Sequence, residues 1–150
     1  MKTHPLKICL VALIASFVAT GQAVLAADVK ITPLGSQEGE LCQLDRAMIF
    51  EDPDGTPILY DPGRTVAGAE DPRLGKVDVI LVSHMHGDHV GDKHIAAVGN
   101  SECGKTSFPV NALPNTNAVN IALAKNAKIM TGSEMPKFVG NKLKSTWRRS

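Results

Sequence analysis

Aromatic side chains make up only 4% of this chain, too few to build the stacking platforms of a single-stranded nucleic-acid binder. Charge of one sign is lacking as well. The formal net charge is +1, so the sequence carries no electrostatic footprint for a polyanion, and nucleic acid is not expected as a partner. Lys142, Lys144, Arg148 and Arg149 do collect near one end, where a solvated tail accounts for them. There is no internal repeat and no low-complexity block. The 150 residues, 43% of them hydrophobic, suffice for one modest globular domain.

No apolar run reaches the roughly 20 residues that span a bilayer. The longest, residues 8–19, follows a lightly basic start (Lys2, Lys7) and precedes Val24, Leu25 and Ala26, whose small residues suit signal peptidase. Residues 1–26 are therefore read as a secretory signal. The protein is expected to be periplasmic or secreted, with no stable membrane insertion after cleavage.

Cysteine is sparse too. Without the signal, only Cys42 and Cys103 remain, in a compartment that permits disulfides. A bridge between them and two separately buried thiols are both compatible with the sequence. Neither cysteine has the spacing of a structural zinc site.

What is present is an order of short strands and helices. Residues 29–34 read as a first strand. Residues 47–50 and 58–60 form a β-hairpin around a turn-rich insert with Pro53, Asp54 and Gly55. The β-branched run 77–82 reads as a buried strand. Residues 94–98 are expected to start a helix. Residues 117–128 form a better one, with Val119, Leu123 and Ala127 at helical spacing and Asn115, Thr116 and Asn117 as possible caps. A short strand at Ile129 and Met130 follows, then a last helix capped by Ser133 with Pro136 in its first turn.

The densest chemistry lies where run 77–82 ends. His84, His86, Asp88 and His89 put four potential metal ligands into six residues. At about 3.3 Å per residue, His84 and His86 project to one side of an extended chain, their backbones roughly 7 Å apart. Imidazoles can lean inward from there to a shared metal, and Gly87 permits the bend that brings Asp88 and His89 round. A tag-like or solvated histidine tract is the bland alternative. It leaves unexplained why the cluster sits at a strand's carboxyl end, where α/β folds place their sites. His94 has no partner at a recognised spacing and is expected to be exposed or capping.

The stretch 77–92, with its His84-x-His86-x-Asp88-His89 signature, resembles the metal-dependent hydrolases of the metallo-β-lactamase superfamily, closest to the lactonase-like branch. The pattern extends over residues 29–144, but its specific part is the histidine motif. The resemblance implies an α+β fold, the N-terminal half of an αββα sandwich, with residues 27–150 forming that part and the C-terminal half absent. It further implies zinc, as one or two ions and with other divalent transition metals admissible. His84 and His86 would bind a first ion, with Asp88 and His89 facing a second. A hydroxide held there would attack an ester, lactone or phosphoester-type bond of a small-molecule substrate, with Asp88 as the catalytic residue that orients the water or takes its proton. Redox members usually carry a glutamate where this chain has His86, which favours hydrolysis. In the family an Asp-Pro or Asp-Pro-Gly like Asp61-Pro62-Gly63 lies beside the metals. An Asx turn explains Asp61 equally well.

Two features complicate the picture. Residues 99–106 match G-x-x-x-x-G-K-[ST], yet Pro109 and Pro114 would break the helix that phosphate binding requires, so the stretch is read as a loop. No histidine follows His94, although the family's second half supplies further ligands. A non-catalytic half-domain, an interaction or relic protein that keeps the motif, is therefore the alternative to a hydrolase. Self-association is one route by which two such motifs could meet. N-terminal sequencing of exported protein should return Ala27 as the first residue, and recovery of Met1 would refute the signal reading.

Overall fold

The structure, a computed structural model, describes residues 28–37, 41–99 and 102–147. The expected leader and the arginines at 148 and 149 lie outside them. The fold is α+β. Five strands, β1 (Lys30–Pro33), β2 (Met48–Glu51), β3 (Pro57–Tyr60), β4 (Val79–Val82) and β7 (Lys128–Thr131), form one sheet in the order β1-β2-β3-β4-β7. The first three are antiparallel neighbours, whereas β3, β4 and β7 run parallel. Between β4 and β7 the chain passes through a one-turn helix α1 (Gly87–Val90), a two-stranded ribbon of β5 (Lys93–His94) and β6 (Val110–Asn111), and helix α2 (Asn117–Lys125). Helix α3 (Met135–Trp147) follows β7.

Register explains the core. Ile49, Leu59, Ile80 and Ile129 are successive cross-strand partners, so they form one row on one face of the pleat. Helix α2 packs on β4 and β7, where Ala118, Ile121 and Ala122 join that row and Leu34, Val66, Leu74, Val77 and Val90 complete the core. The opposite face carries Met48, Tyr60, Leu81 and Met130 in one row, with Phe50, Ile58 and Val79 in the next. None of these is buried, and no helix among the described residues covers them fully. No described helix is long and apolar enough to cross a membrane.

Local chemistry sets the element ends. The Thr116 side chain accepts a hydrogen bond from the Val119 N–H at the start of α2, satisfying one of the helix's free donors. The helix stops at Lys125, short of the expected residue 128, because Asn126 adopts a left-handed φ of 54° and caps it. Pro136 does fall in the first turn of α3, but Ser133 stands two residues before the helix and is not its cap.

The helix expected at 94–98 is absent. His94 instead pairs with Val110 in the ribbon, and the Ile95 N–H donates to the Arg64 carbonyl. Five residues offer too little helical cooperativity to compete with such pairing. His94 is consequently buried, with Nδ1 bonded to the Ile95 carbonyl, and is neither exposed nor a cap. The described part of the P-loop-like stretch makes turns and leads into β6, not into a helix. Cys42 and Cys103 are joined by a disulfide across 61 residues, a separation for which chain entropy alone gives about 4 kcal/mol of stabilisation.

The long connection from β3 to β4 is held by an ion pair. Arg73 meets the fully buried Asp71 carboxylate through Nε at 2.9 Å and Nη2 at 2.7 Å, and its remaining donors reach the carbonyls of Gly35 and Thr65. Burial pushes the Asp71 pKa upward. The Arg73 hydrogen bonds, the N–H groups of Ala67 and Arg73 and the Arg73 charge outweigh it, so the carboxyl titrates below its ordinary range. A folded-state pKa below the unfolded value makes the contribution complete above about pH 4, and it disappears as pH falls through the folded-state value. Asp71→Asn should cost about 3 kcal/mol in urea unfolding at pH 7, with the gap to the parent narrowing at pH 2. An unchanged gap would show that the carboxylate charge is not the source.

Candidate metal centre

The sheet register brings three strand ends to one place. Strands β3 and β4 are parallel and β2 is antiparallel to them, so the residues after β3, after β4 and before β2 share one end of the sheet. Those residues are Asp61, the histidine motif and Arg46.

Beyond Val82 the chain leaves the sheet and passes through His84 and His86, which has extended backbone angles, before α1 begins. The His84 and His86 rings stand 4.1 Å apart, and the His89 ring is 5.3 Å from His84. The first two rings thus stand together, as expected, and the helical turn folds the third back. Gly91 ends that turn with φ 71°, a conformation that glycine adopts freely.

Asp61 is the anchor beneath the cluster. It is fully buried, and its carboxylate accepts from the Ser83 N–H at 2.7 Å, from the Ser83 hydroxyl and from His89 Nδ1 at 2.8 Å. A carboxylate can only accept, so Nδ1 carries the proton of this bond, and in the neutral ring Nε2 then presents its lone pair. The φ of Asp61 is 42°, a left-handed conformation uncommon outside glycine. The turn after it approaches the motif so closely that a Cβ on Gly63 would lie 1.9 Å from the Asp88 carbonyl oxygen. Glycine is required there by space.

Asp88 Oδ2 lies 3.5 Å from His89 Nε2 and accepts from Arg46 Nε at 3.3 Å. Burial pushes its pKa up, but a backbone N–H, the neighbouring His89 and the Arg46 guanidinium together hold the carboxyl below its ordinary range. Asn117 fixes the surroundings. Fully buried at the start of α2, it donates through Nδ2 to the carbonyls of Gly63 and Val66, and its backbone N–H meets the Gly91 carbonyl at 2.6 Å.

The structure therefore gathers all four expected residues, His84, His86, Asp88 and His89, and keeps His94 apart, its ring facing Gly68. Three imidazoles and a carboxylate are a donor set suited to zinc or a similar divalent ion. Among the described residues no group of three His, Cys, Asp or Glu side chains is arranged to hold a metal ion. Asp88 Oδ2 stands 3.5 Å from His89 Nε2 and accepts a hydrogen bond from Arg46.

Residues 44–144 match the family model described as the beta-lactamase superfamily domain. The chain belongs to this superfamily. Its mixed sheet and three helices correspond to the N-terminal half of the metallo-β-lactamase fold. Among curated proteins it is similar to a metal-dependent hydrolase of Staphylococcus saprophyticus, 29% identical over 85 residues that cover 51% of this chain and 37% of that protein. One from Anaeromyxobacter dehalogenans is 46% identical over 50 residues, covering 31% and 18%. Another, from a Geobacillus strain, is 54% identical over 41 residues, covering 26% and 18%. The chain thus spans well under half the length of the relatives it matches. No solved structure matches it significantly.

Arg46 and Asn117 were invisible as site residues in the sequence, because their partners lie 42 and 54 residues away. Replacing Asp61 by glycine, which tolerates the positive φ, should remove the restraint on His89 without backbone strain. Imidazole 15N NMR should show His89 protonated on Nδ1 in the parent and shifted toward the Nε2-protonated tautomer in Asp61→Gly. The same tautomer in both would mean that Asp61 does not set the ring.

Proposed function

We propose that this chain carries the histidine-motif part of an exported, zinc-dependent hydrolase site acting on an ester, lactone or phosphoester-type bond of a small molecule. The observation that carries the reading is the buried Asp61 carboxylate on His89 Nδ1, with Nε2 directed away from it and the His84 and His86 rings alongside. Carboxylate partners of this kind orient metal-binding imidazoles and raise their basicity. In this reading His84 and His86 hold one ion while Asp88 and His89 face a second. Zinc, when bound, brings the pKa of water near neutrality and polarises the oxygen of the bond under attack. Asp88, ionised at neutral pH, orients the attacking water or accepts its proton. The likeness to relatives named metal-dependent hydrolases supports the reaction class, and the leader-like residues 1–26 support export.

A second reading, a non-catalytic half-domain that retains the motif, has its own support. No three donors among the described residues form a metal-holding group, and catalytic zinc sites typically use three protein ligands plus water. On either reading, residues 27–150 alone should bind zinc weakly and turn over little lactone, phosphodiester or β-lactam. Robust turnover that disappears in His84→Ala would overturn the second reading. Metal analysis of dialysed protein should show zinc lost in the His84→Ala/His86→Ala double variant and retained in His94→Ala. Equal loss in both would show that the ligands are wrongly assigned.

A further inference from the structure

We propose that Arg46 selects an anionic substrate, one bearing a carboxylate or phosphate-type oxyanion beside the bond to be cleaved. The inference rests on the hydrolase reading above and adds the substrate class. Arg46 immediately precedes the segment that enters β2, at the sheet end shared by Asp61 and the histidine motif. Its Nε donates to Asp88 Oδ2 at 3.3 Å. The two terminal nitrogens have no partner among the described residues, and the side chain is about half exposed, at 48%. The guanidinium is therefore tethered at one nitrogen beside the imidazoles while its two-nitrogen fork remains open, the geometry that takes a carboxylate or phosphate through paired hydrogen bonds.

The backbone under Arg46 is built. Asp45, next to it, is buried, and its carboxylate accepts from the Ser36 N–H and hydroxyl and from the Cys42 N–H. Ala47, on the other side, is fully buried, with its carbonyl bonded to the Leu34 N–H. The Cys42–Cys103 disulfide closes the same segment. A long surface arginine usually loses much rotamer freedom on binding, and a fixed backbone with a tethered Nε reduces that loss. The other arginine near the motif is already occupied: Arg64 donates to Asp92 and lies over the Phe108 ring.

Electrostatics points the same way. A fixed cation beside a cation-binding cluster opposes metal uptake, and Asp88 offsets this only by sharing its carboxylate between the two. An anionic group on the substrate resolves the conflict, since it is attracted by both the guanidinium and the ion.

The test is titration of phenylphosphonate and, separately, benzoate into the full chain at saturating zinc, followed by NMR, after zinc affinity has been measured for each protein. The parent should bind at least one of the two anions, with the affinity about tenfold or more weaker in Arg46→Gln and partly restored in Arg46→Lys. The tighter of the two probes identifies the oxyanion. Equal affinities in the parent and Arg46→Gln would mean that the metal alone holds the anion. Zinc uptake with no anion binding would equally overturn the inference while leaving the hydrolase reading intact. No zinc uptake by the parent would overturn that reading and this one together.

Discussion

Everything at the candidate site depends on one buried carboxylate. Among the described residues no lysine or arginine stands against Asp61. Its charge is met by the Ser83 N–H, the Ser83 hydroxyl and the His89 ring N–H, so three separate donors must converge for it to be buried at all. Ser83 immediately follows β4, and His89 lies in the helical turn beyond. The carboxylate therefore clamps the start of the motif to its end, and the two ends can meet only if the residues between them loop outward. Those residues include His84 and His86, which is why they stand exposed over the anchor. The left-handed φ of Asp61 is tolerated because the same turn continues the ladder, with the Asp61 N–H donating to the Leu81 carbonyl at 2.9 Å.

The remaining polar ties hold loops against this clamp. Asn117 joins the loop after β3 to the residue that ends α1, using a helix start that has N–H groups to spare. Arg73 and Asp71 fasten the connection from β3 to β4 to the Gly35 carbonyl near β1, and the disulfide fastens the segment before β2 to the loop before β6. These ties lie in loops, where the sheet cannot impose order, and they are what let side chains from three strand ends keep fixed relative positions before any ligand arrives.

The legible parts of the fold were those specified by near neighbours in sequence. The β2–β3 hairpin follows from a turn-rich insert between two apolar runs, β4 from its β-branched residues, and the start of α2 from Thr116 and the apolar spacing behind it. The nearness of His84 and His86 was expected from their two-residue spacing, and their rings lie 4.1 Å apart. The parts that were not legible depend on distant partners. The ribbon that replaces a helix at His94 requires residues 110 and 111, and the end of α2 turns on whether an asparagine adopts a left-handed conformation. The disulfide was one of two open options until the fold brought the cysteines within 5.3 Å at Cα. Asp61 was equally balanced between a turn and a site role. The fold sets it beside Ser83 and His89 through the parallel β3–β4 pairing, which no local pattern reveals.

The two faces of the sheet extend the argument from the site to the fold. Ile49, Leu59, Ile80 and Ile129 pack under α2, whereas the other face shows Met48, Phe50, Ile58, Tyr60, Leu81 and Met130 across four strands, with Met130 56% exposed. An aromatic edge contact between Phe50 and Tyr60 at 6.2 Å orders part of it without removing it from water. A solvent-facing sheet normally alternates apolar with polar residues, and apolar residues on both faces are the pattern of a sheet covered on both sides. Of the two rows, the one formed by Met48, Tyr60, Leu81 and Met130 lies next to the sheet end that carries Asp61, His84 and Arg46.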